Sequence, residues 1–382
     1  MTTSPVAAAP SRRRFLHDAT TAVTIACVSP ATLMGCQKSA LDSGNTDAMD
    51  EALQRMAGLG LDGNHGPMAA EALIKLGRAE HLPRWVDAYK RRFKVSYPAN
   101  SSAVSRANWQ AALGDARREA DWVDFFSAEV KEAAWSQVLG QWASRLAPGL
   151  SAAAGHGLIR TAHAARSLQN KETDLRRREL AQGLGYWAAR YKPLPDLPGK
   201  TPGTLKPADA LARVPRLPDE KRNRGSVDTG LRSVSQLPEF SQVADLLSLP
   251  NEAPQFLSEL TETFATVYLR NVHSRNAIAL VHMVTGLVAL RHLLPYLSPS
   301  VTRSAERYGW QLNAAIYAVY GNSSTNPLPE AKEIKGEDLI DRAVASGDEH
   351  AIKFTEACLG EYSLNSKPIY LQAARDAVDR LK

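Results

Sequence analysis

The chain has 382 residues, and its 46 Lys and Arg against 40 Asp and Glu give a net charge of +6. This small excess argues against a nucleic-acid-binding protein, which usually carries a strongly basic face. Two of the three Cys, Cys27 and Cys36, lie in the N-terminal segment, so Cys358 alone remains in the body of the chain. A disulfide framework and a Cys-rich zinc site are therefore excluded.

The first 36 residues have the layout of a twin-arginine export signal. The run SRRRFL at residues 11–16 is followed by a mildly apolar stretch at residues 19–33, which is too short to span a bilayer. The segment ends in LMGC at residues 33–36, similar to a lipoprotein processing site, although small residues also precede ordinary cleavage sites. We therefore predict export by the twin-arginine machinery to the periplasm, with the product either released or anchored through a lipid on Cys36.

Residues 37–48 are small and polar and predict a flexible tether. From residue 49 to the C-terminus apolar residues recur at helical spacing, which predicts one large all-α, bundle-like domain. A Pro-rich, charged stretch at residues 192–225 interrupts this pattern as a linker or a long surface loop. Helices are expected over residues 49–58, 66–77, 81–93, 105–113, 116–144, 155–167, 171–192, 238–248, 254–272, 276–294, 299–320, 336–346, 348–362 and 367–381. The helix at 276–294 is apolar on nearly every face, which predicts a buried central helix.

Histidine carries the candidate chemistry, because no phosphate-binding loop, nucleophile elbow or HExxH helix is present in the sequence. Imidazoles from four separate helical segments, one of them nearly wholly apolar, could hold one metal ion inside a helical bundle. The four that stand out are His65, His156, His282 and His350. Spacing alone leaves four others open as ligands, namely His81, His163, His273 and His292. Each could instead be a structural residue that caps a helix or bonds a carbonyl.

Lys353 lies one helical turn after His350 and on the same face. Four imidazoles alone leave the charge of a divalent ion uncompensated, and no carboxylate stands out in these motifs. A buried lysine tends to lose its proton, and the neutral amine can add carbon dioxide to form an anionic carbamate ligand. A solvent-facing lysine on an amphipathic helix remains the alternative.

Four short motifs together carry a resemblance to a known family. They are NH (residues 64–65) before AAEAL (69–73), AGHGLIR (154–160), LVHMVT (280–285) and DEHAIK (348–353). In this order they are similar to the questin oxidase-like family, over about residue 50 to the C-terminus. The resemblance implies an all-helical oxidative protein whose fungal members open anthraquinone rings, in a Baeyer-Villiger-like or dioxygenase-like step, without a flavin-binding motif. It also implies non-haem iron held by four His and a carboxylated Lys, which here match His65, His156, His282, His350 and Lys353.

The sequence therefore predicts an exported, Fe²⁺-dependent oxygenase that acts on an aromatic or quinone-like substrate with dioxygen, with NADPH as a candidate reductant. Arg160, one turn beyond His156, is a candidate contact for an anionic or phenolate oxygen of the substrate, or else a structural ion-pair residue. Two rivals remain open: a zinc-dependent hydrolase, and a non-catalytic helical protein that binds a hydrophobic ligand. No nucleic-acid partner is expected, and contact with a membrane is expected only through the N-terminal lipid.

Overall fold

Helices form nearly all of the regular structure. The computed structural model describes residues 47–93, 101–194, 203–222, 225–250, 253–322, 325–330 and 333–381. Within these ranges no strand occurs, and the one isolated β-bridge joins Leu205 to Leu247. The prediction of an all-α protein is confirmed.

The N-terminal half contains eight α-helices among the described residues. They are α1 (Ala48–Arg55), α2 (Gly66–Lys75), α3 (Leu82–Lys90), α4 (Trp109–Ala112), α5 (Glu119–Glu132), α6 (Trp135–Leu146), α7 (His156–Asn170) and α8 (Asp174–Ala189). The remaining helices are α9 (Pro207–Leu211), α10 (Val227–Leu231), α11 (Ala253–Asn271), α12 (Ala277–Leu293), α13 (Pro299–Tyr320), α14 (Gly336–Ser346), α15 (Glu349–Asn365) and α16 (Pro368–Arg380). Most begin and end within a few residues of the predicted bounds, while the segment predicted at 238–248 is a 3-10 helix, Pro238–Asp245.

One predicted helix, residues 116–144, is in fact two. The backbone is extended at Ala133 and Ala134, which ends α5 and starts α6. Neither Pro nor Gly marks this break, so the hydrophobic pattern alone did not reveal it. Tertiary packing favours the break, because α6 can then turn the ring of Trp142 edge-on against Trp122 and Phe126 on α5, with ring centroids 5.9 and 5.0 Å apart.

Helix α12 lies at the centre of the fold, as its sequence predicts. It packs against α7, α11, α13 and α15, and side chains are buried on nearly all of its faces. The segment Ala277–Tyr296 is long and apolar enough to cross a membrane by composition. Because 78% of its most apolar window is buried inside the protein, it is the core helix of a folded domain.

The Pro-rich segment at 192–225 packs onto the helical body where the structure describes it. Leu205 bridges to Leu247, and the Leu217 backbone N–H donates to the Ala318 carbonyl at 2.8 Å. In its described residues the segment therefore lies over the body, as the loop alternative expects, but it also contains the short helix α9. The export-signal prediction and most of the predicted tether lie outside the described residues. Helix α1 begins at Ala48, one residue before the predicted bound, because the Asp47 side chain caps it by accepting from the Met49 N–H at 3.0 Å.

Four helices from distant parts of the chain surround one interior site. Helix α2 packs against α7 and α15, and α12 packs against the same two helices. This closed arrangement is a four-helix frame in which α2, α7, α12 and α15 each face two of the others. Helices α7, α12 and α15 each contribute one of the histidines singled out from the sequence, and the fourth, His65, is the N-cap residue of α2.

Candidate metal centre

All five predicted ligand residues converge in the four-helix frame. The His65 ring centroid lies 4.5 Å from that of His156 and 4.6 Å from that of His350. The His282 centroid lies 4.6 Å from that of His156 and 6.0 Å from that of His350. The Lys353 Nζ is 3.3 Å from the His65 Nδ1. Four imidazoles and one amine therefore share a space small enough for one ion.

Strained backbone places His156 at the first position of α7. Ala153 and Ala154 have φ angles of 47° and 58°, which non-glycine residues rarely adopt, and Gly155 follows at 88°. This left-handed run turns the chain so sharply that the His156 Nδ1 donates back to the Ala153 carbonyl at 2.5 Å. Such strain persists where the surrounding structure imposes it, often at functional sites.

His156 and His282 face each other in a way that calls for a cation. The His282 Nδ1 donates to the Ile278 carbonyl at 2.5 Å, as the His156 Nδ1 does to Ala153, so the proton of each neutral ring resides on Nδ1. The two Nε2 atoms lie 3.0 Å apart and carry lone pairs that cannot bond to each other. A ring that donates one N–H to a backbone carbonyl and offers its other nitrogen is the usual arrangement of a metal-binding histidine.

His65 is held at the start of α2 by its neighbours. The His65 backbone N–H donates to the Tyr89 hydroxyl of α3 at 2.6 Å, and the Asn64 side chain accepts from the Gly66 N–H at 3.0 Å. Pro67 occupies the first turn of the helix, where a missing N–H costs nothing. These contacts fix the direction in which the His65 ring enters the site.

His350 and Lys353 enter from the first turn of α15. Asp348 caps this helix by accepting from the backbone N–H of His350 at 2.8 Å and of Ala351 at 2.9 Å. The His350 Nδ1 is buried and makes no hydrogen bond, although the Asp348 carboxylate lies 3.5 Å away. Lys353 is only 3% exposed, so the solvent-facing alternative is wrong.

Sequence reasoning missed one carboxylate, that of Glu349. Its side chain and the rings of His65 and His350 each offer a ligand atom, and these three atoms lie within 4.8 Å of one another. A carboxylate oxygen of Glu349 also accepts from the Arg92 guanidinium at 2.7 Å. The expectation that no carboxylate accompanies the histidines is thus wrong. The signal was present in the DEHAIK motif, but a residue adjacent to His350 points in a different direction on an isolated helix.

Burial favours the uncharged form of three of the histidines and of Lys353. Burial lowers the pKa values of His65, His156 and His282 below the usual 6.5, and neighbouring positive charges add to the effect. The pKa of His156 falls to about 3. Burial also lowers the pKa of Lys353 to about 8, although the Glu349 and Asp348 carboxylates oppose this. The rings of His65, His156 and His282 therefore present nitrogen lone pairs at neutral pH, which is the form that binds transition metals, whereas the Lys353 amine is mostly neutral only above about pH 8.

A cavity of about 760 Å³ opens onto the four histidines, all of which contribute to its wall. The strained Ala153 and Ala154 also line it, together with Ile278 one turn before His282. A volume of this size accommodates a ligand of several fused rings. The interior site is therefore connected to a space in which a substrate can bind.

The comparison with known proteins agrees with this geometry. The family model described as questin oxidase-like matches residues 63–358, which is more than three quarters of the chain. The chain belongs to the questin oxidase-like family. The match contains all four histidines and Lys353, and membership indicates an oxidoreductase of the oxidase or oxygenase kind. Among curated proteins, none matches the chain.

In this questin oxidase-like chain Arg160 does not contact the cavity. Its guanidinium donates to the Glu179 carboxylate at 2.7 and 3.0 Å and to the Gln182 side-chain oxygen at 2.8 Å. Arg160 is only 1% exposed and is not part of the cavity wall. Arg160 is therefore a structural ion-pair residue, and the predicted substrate contact is wrong, because the α7 surface that carries Arg160 faces α8 and not the cavity.

Two of the other histidines belong to a separate buried cluster, the Arg166 network. From α7, the Arg166 Nε donates to Glu71 of α2 at 2.9 Å, and its Nη1 donates to Glu356 of α15 at 2.6 Å. The same Nη1 lies 3.0 Å from the His292 Nε2 near the end of α12, and the His163 Nδ1 lies 2.8 Å from the Glu71 carboxylate. One guanidinium thus joins all four helices that carry the candidate ligands.

The last two open histidines lie outside the site. The His81 side chain is 48% exposed, and its Nε2 lies 3.6 Å from Glu80. The His273 Nδ1 accepts from the Arg275 backbone N–H at 3.2 Å. The questin oxidase-like chain therefore brings together the four histidines that the resemblance implied and separates the other four that spacing left open.

Proposed function

We propose that this chain is an exported non-haem iron oxygenase that cleaves an aromatic or quinone-like compound with dioxygen. The observation that carries the proposal is the convergence of four imidazoles on the wall of one large cavity. Family membership supports oxidative chemistry, and the facing lone pairs of His156 and His282 support a bound cation. Export rests on the N-terminal sequence SRRRFL.

The donor set fits a first-row divalent ion. Imidazole nitrogen suits iron, zinc, copper and nickel, and the cavity gives a bound ion access to a small molecule. We assign His65, His156, His282 and His350 as the protein ligands. Ferrous iron would supply the one-electron chemistry that lets dioxygen react with an organic substrate, with NADPH as a candidate external reductant.

We further propose that Lys353 supplies the negative charge as a carbamate. Its neutral amine attacks carbon dioxide, an N–C bond forms, and one proton leaves to solvent. The lowered pKa of Lys353 favours the neutral amine that this step needs. Glu349 is the second source of negative charge at this site, although its carboxylate also pairs with Arg92.

The surrounding residues of the chain perform the remaining tasks. The backbone carbonyls of Ala153 and Ile278 hold two rings in one tautomer, so their Nε2 atoms stay directed at the ion. The α2, α7, α12 and α15 frame keeps His65, His282 and Lys353 buried at the inner end of the cavity, which limits their contact with bulk water. The wall at Ile278 supplies apolar contact for a ring system.

Metal analysis of the protein purified from its native compartment, combined with oxygen consumption, tests the proposal. We expect close to one iron per chain and oxygen uptake in the presence of a hydroxylated anthraquinone. Full zinc occupancy without oxygen uptake would instead favour the zinc-dependent hydrolase. If no metal binds, and His282→Ala leaves ligand binding and stability unchanged, the protein is a non-catalytic binder.

A further inference from the structure

The wall of the cavity carries more positive than negative charge. Six side chains of the wall are charged, two acidic and four basic: Asp62, Arg190, Lys192, Asp228, Arg232 and Arg275. A concave surface with an excess of one sign concentrates ligands of the opposite sign.

Two of the four basic side chains are neutralised within the protein. The Arg190 guanidinium lies 3.4 Å from Asp62 and 3.6 Å from Glu119. The Arg232 guanidinium lies 2.9 Å from Asp228. Both acidic groups of the wall are therefore already occupied by a basic partner.

The other two, Lys192 and Arg275, have no ion-pair partner among the residues that the structure describes. Both side chains are exposed, whereas the four histidines lie deeper, so the two cations mark the solvent end of the cavity. An arginine without an acidic partner offers its planar set of donors to a carboxylate or phenolate.

Arg275 lies in the turn just before α12, and Ile278 and His282 follow on the first turns of that helix; all three line the cavity. From Ala277, the first residue of α12, to His282 the helix rises roughly 8 Å at about 1.5 Å per residue, and Arg275 lies beyond the start of the helix. Ile278 lies between Arg275 and His282, and its side chain is 46% exposed although it lines a concave surface. The wall is therefore cationic at the mouth, apolar in the middle and metal-binding at the inner end.

We propose that the cavity selects an anionic aromatic substrate, whose negative group binds Arg275 and Lys192 at the mouth. The ring system then lies against Ile278, and its far end reaches the histidines. A fused system of three rings has a length comparable to this separation. This inference rests on the proposed function for the aromatic class, while the negative charge is inferred from the cavity alone.

Two probes of nearly the same shape, one anionic and one neutral, test the proposal: anthraquinone-2-carboxylate and anthraquinone-2-carboxamide. Calorimetric titration of the isolated protein should show the carboxylate binding about 5- to 10-fold more tightly, as expected for a charged hydrogen bond at a partly exposed site. This preference should shrink as salt is raised, because exposed charges are screened. Arg275→Gln should remove most of the preference for the carboxylate, and Arg275→Lys should keep part of that preference.

Arg84→Gln is the matched control, since Arg84 is also exposed but lies on α3, outside the cavity wall. It should leave the preference unchanged. Equal affinity for the two probes would overturn the proposal, as would a carboxylate preference that survives both Arg275→Gln and Lys192→Gln. Repeating the titration on chelated protein separates this inference from the iron assignment. A preference that persists without any metal supports the anion site even if the oxygenase proposal fails, whereas iron-loaded protein without a preference refutes the anion site alone.

Discussion

Replacing Arg166 by Met removes the guanidinium that joins the four helices of the candidate metal centre. The variant keeps most of the side-chain volume but leaves Glu71 and Glu356 without their cation. Glu71 is only 2% exposed, so its carboxylate cannot recover solvation from water. We expect both the stability of the fold and the affinity for the metal to fall.

The size of the stability loss follows from Glu71. Burial alone would raise the pKa of this carboxyl group, but Arg166 and His163 outweigh burial and lower the pKa from 4.5 to about 2. That lowering corresponds to about 3 kcal/mol of favourable interaction. Breaking a buried ion pair by removing one partner costs a similar amount, about 3–5 kcal/mol. The contribution of Glu71 is fully present above pH 4.5 and is lost as the pH falls toward 2.

Arg160→Met provides the matched control on the same helix. It removes an equally buried two-point ion pair, with Glu179, but that pair joins α7 only to α8. Both variants should unfold at lower temperature by roughly 5–10 °C in a thermal melt at pH 7. Only Arg166→Met should also weaken iron binding, by at least about 10-fold in a chelator competition assay, because it alone disturbs the relative positions of the ligand helices.

Three outcomes would contradict this reasoning. The free energy of unfolding of Arg166→Met could lie within about 1 kcal/mol of the wild-type value, which would mean that the Arg166 network contributes little to stability. Both variants could weaken iron binding equally, which would make the effect one of general stability. Arg160→Met could instead raise the KM for substrate, which would indicate that Arg160 contacts the substrate despite its buried position.

Further outcomes follow from the same contacts. His156→Ala and His282→Ala should each lower the affinity for iron by more than about 100-fold, which metal analysis detects as lost iron. His81→Ala should leave the iron content unchanged. Lys353→Met should lose iron and regain part of it when a small carboxylate is added. If Lys353→Met instead keeps full iron and Glu349→Gln loses it, the anionic ligand is Glu349 and not Lys353. Metal-free protein should lose stability in thermal melts as the pH falls from 6.5 toward 3. In this range His156 takes up a proton in the unfolded chain, where its pKa is about 6.5, but not in the folded protein, where burial lowers its pKa to about 3. His156→Gln should therefore make the stability less dependent on pH. Arg12→Lys combined with Arg13→Lys should abolish export in cell fractionation, and unchanged export would refute the signal assignment.

Much of the fold could be predicted because helix signals are local. The apolar run of α12 and the Asp348 cap of α15 are visible within a few residues of sequence. The break between α5 and α6 was not visible, since Ala133 and Ala134 are good helix formers whose extended backbone is imposed by packing of aromatic rings. The loop at 192–225 could not be told from a linker, because the Leu217 partner lies about a hundred residues later.

The sequence by itself determined the all-α class, the buried central helix and the residue types of a candidate metal site. Only the tertiary structure decided which of them meet: His156 and His163 share one helix face, yet the first faces the cavity and the second bonds Glu71. The reason is that helical periodicity reports neighbours three or four residues away, whereas His65 and Lys353 come together across 288 residues. Contacts of that separation depend on how whole helices pack.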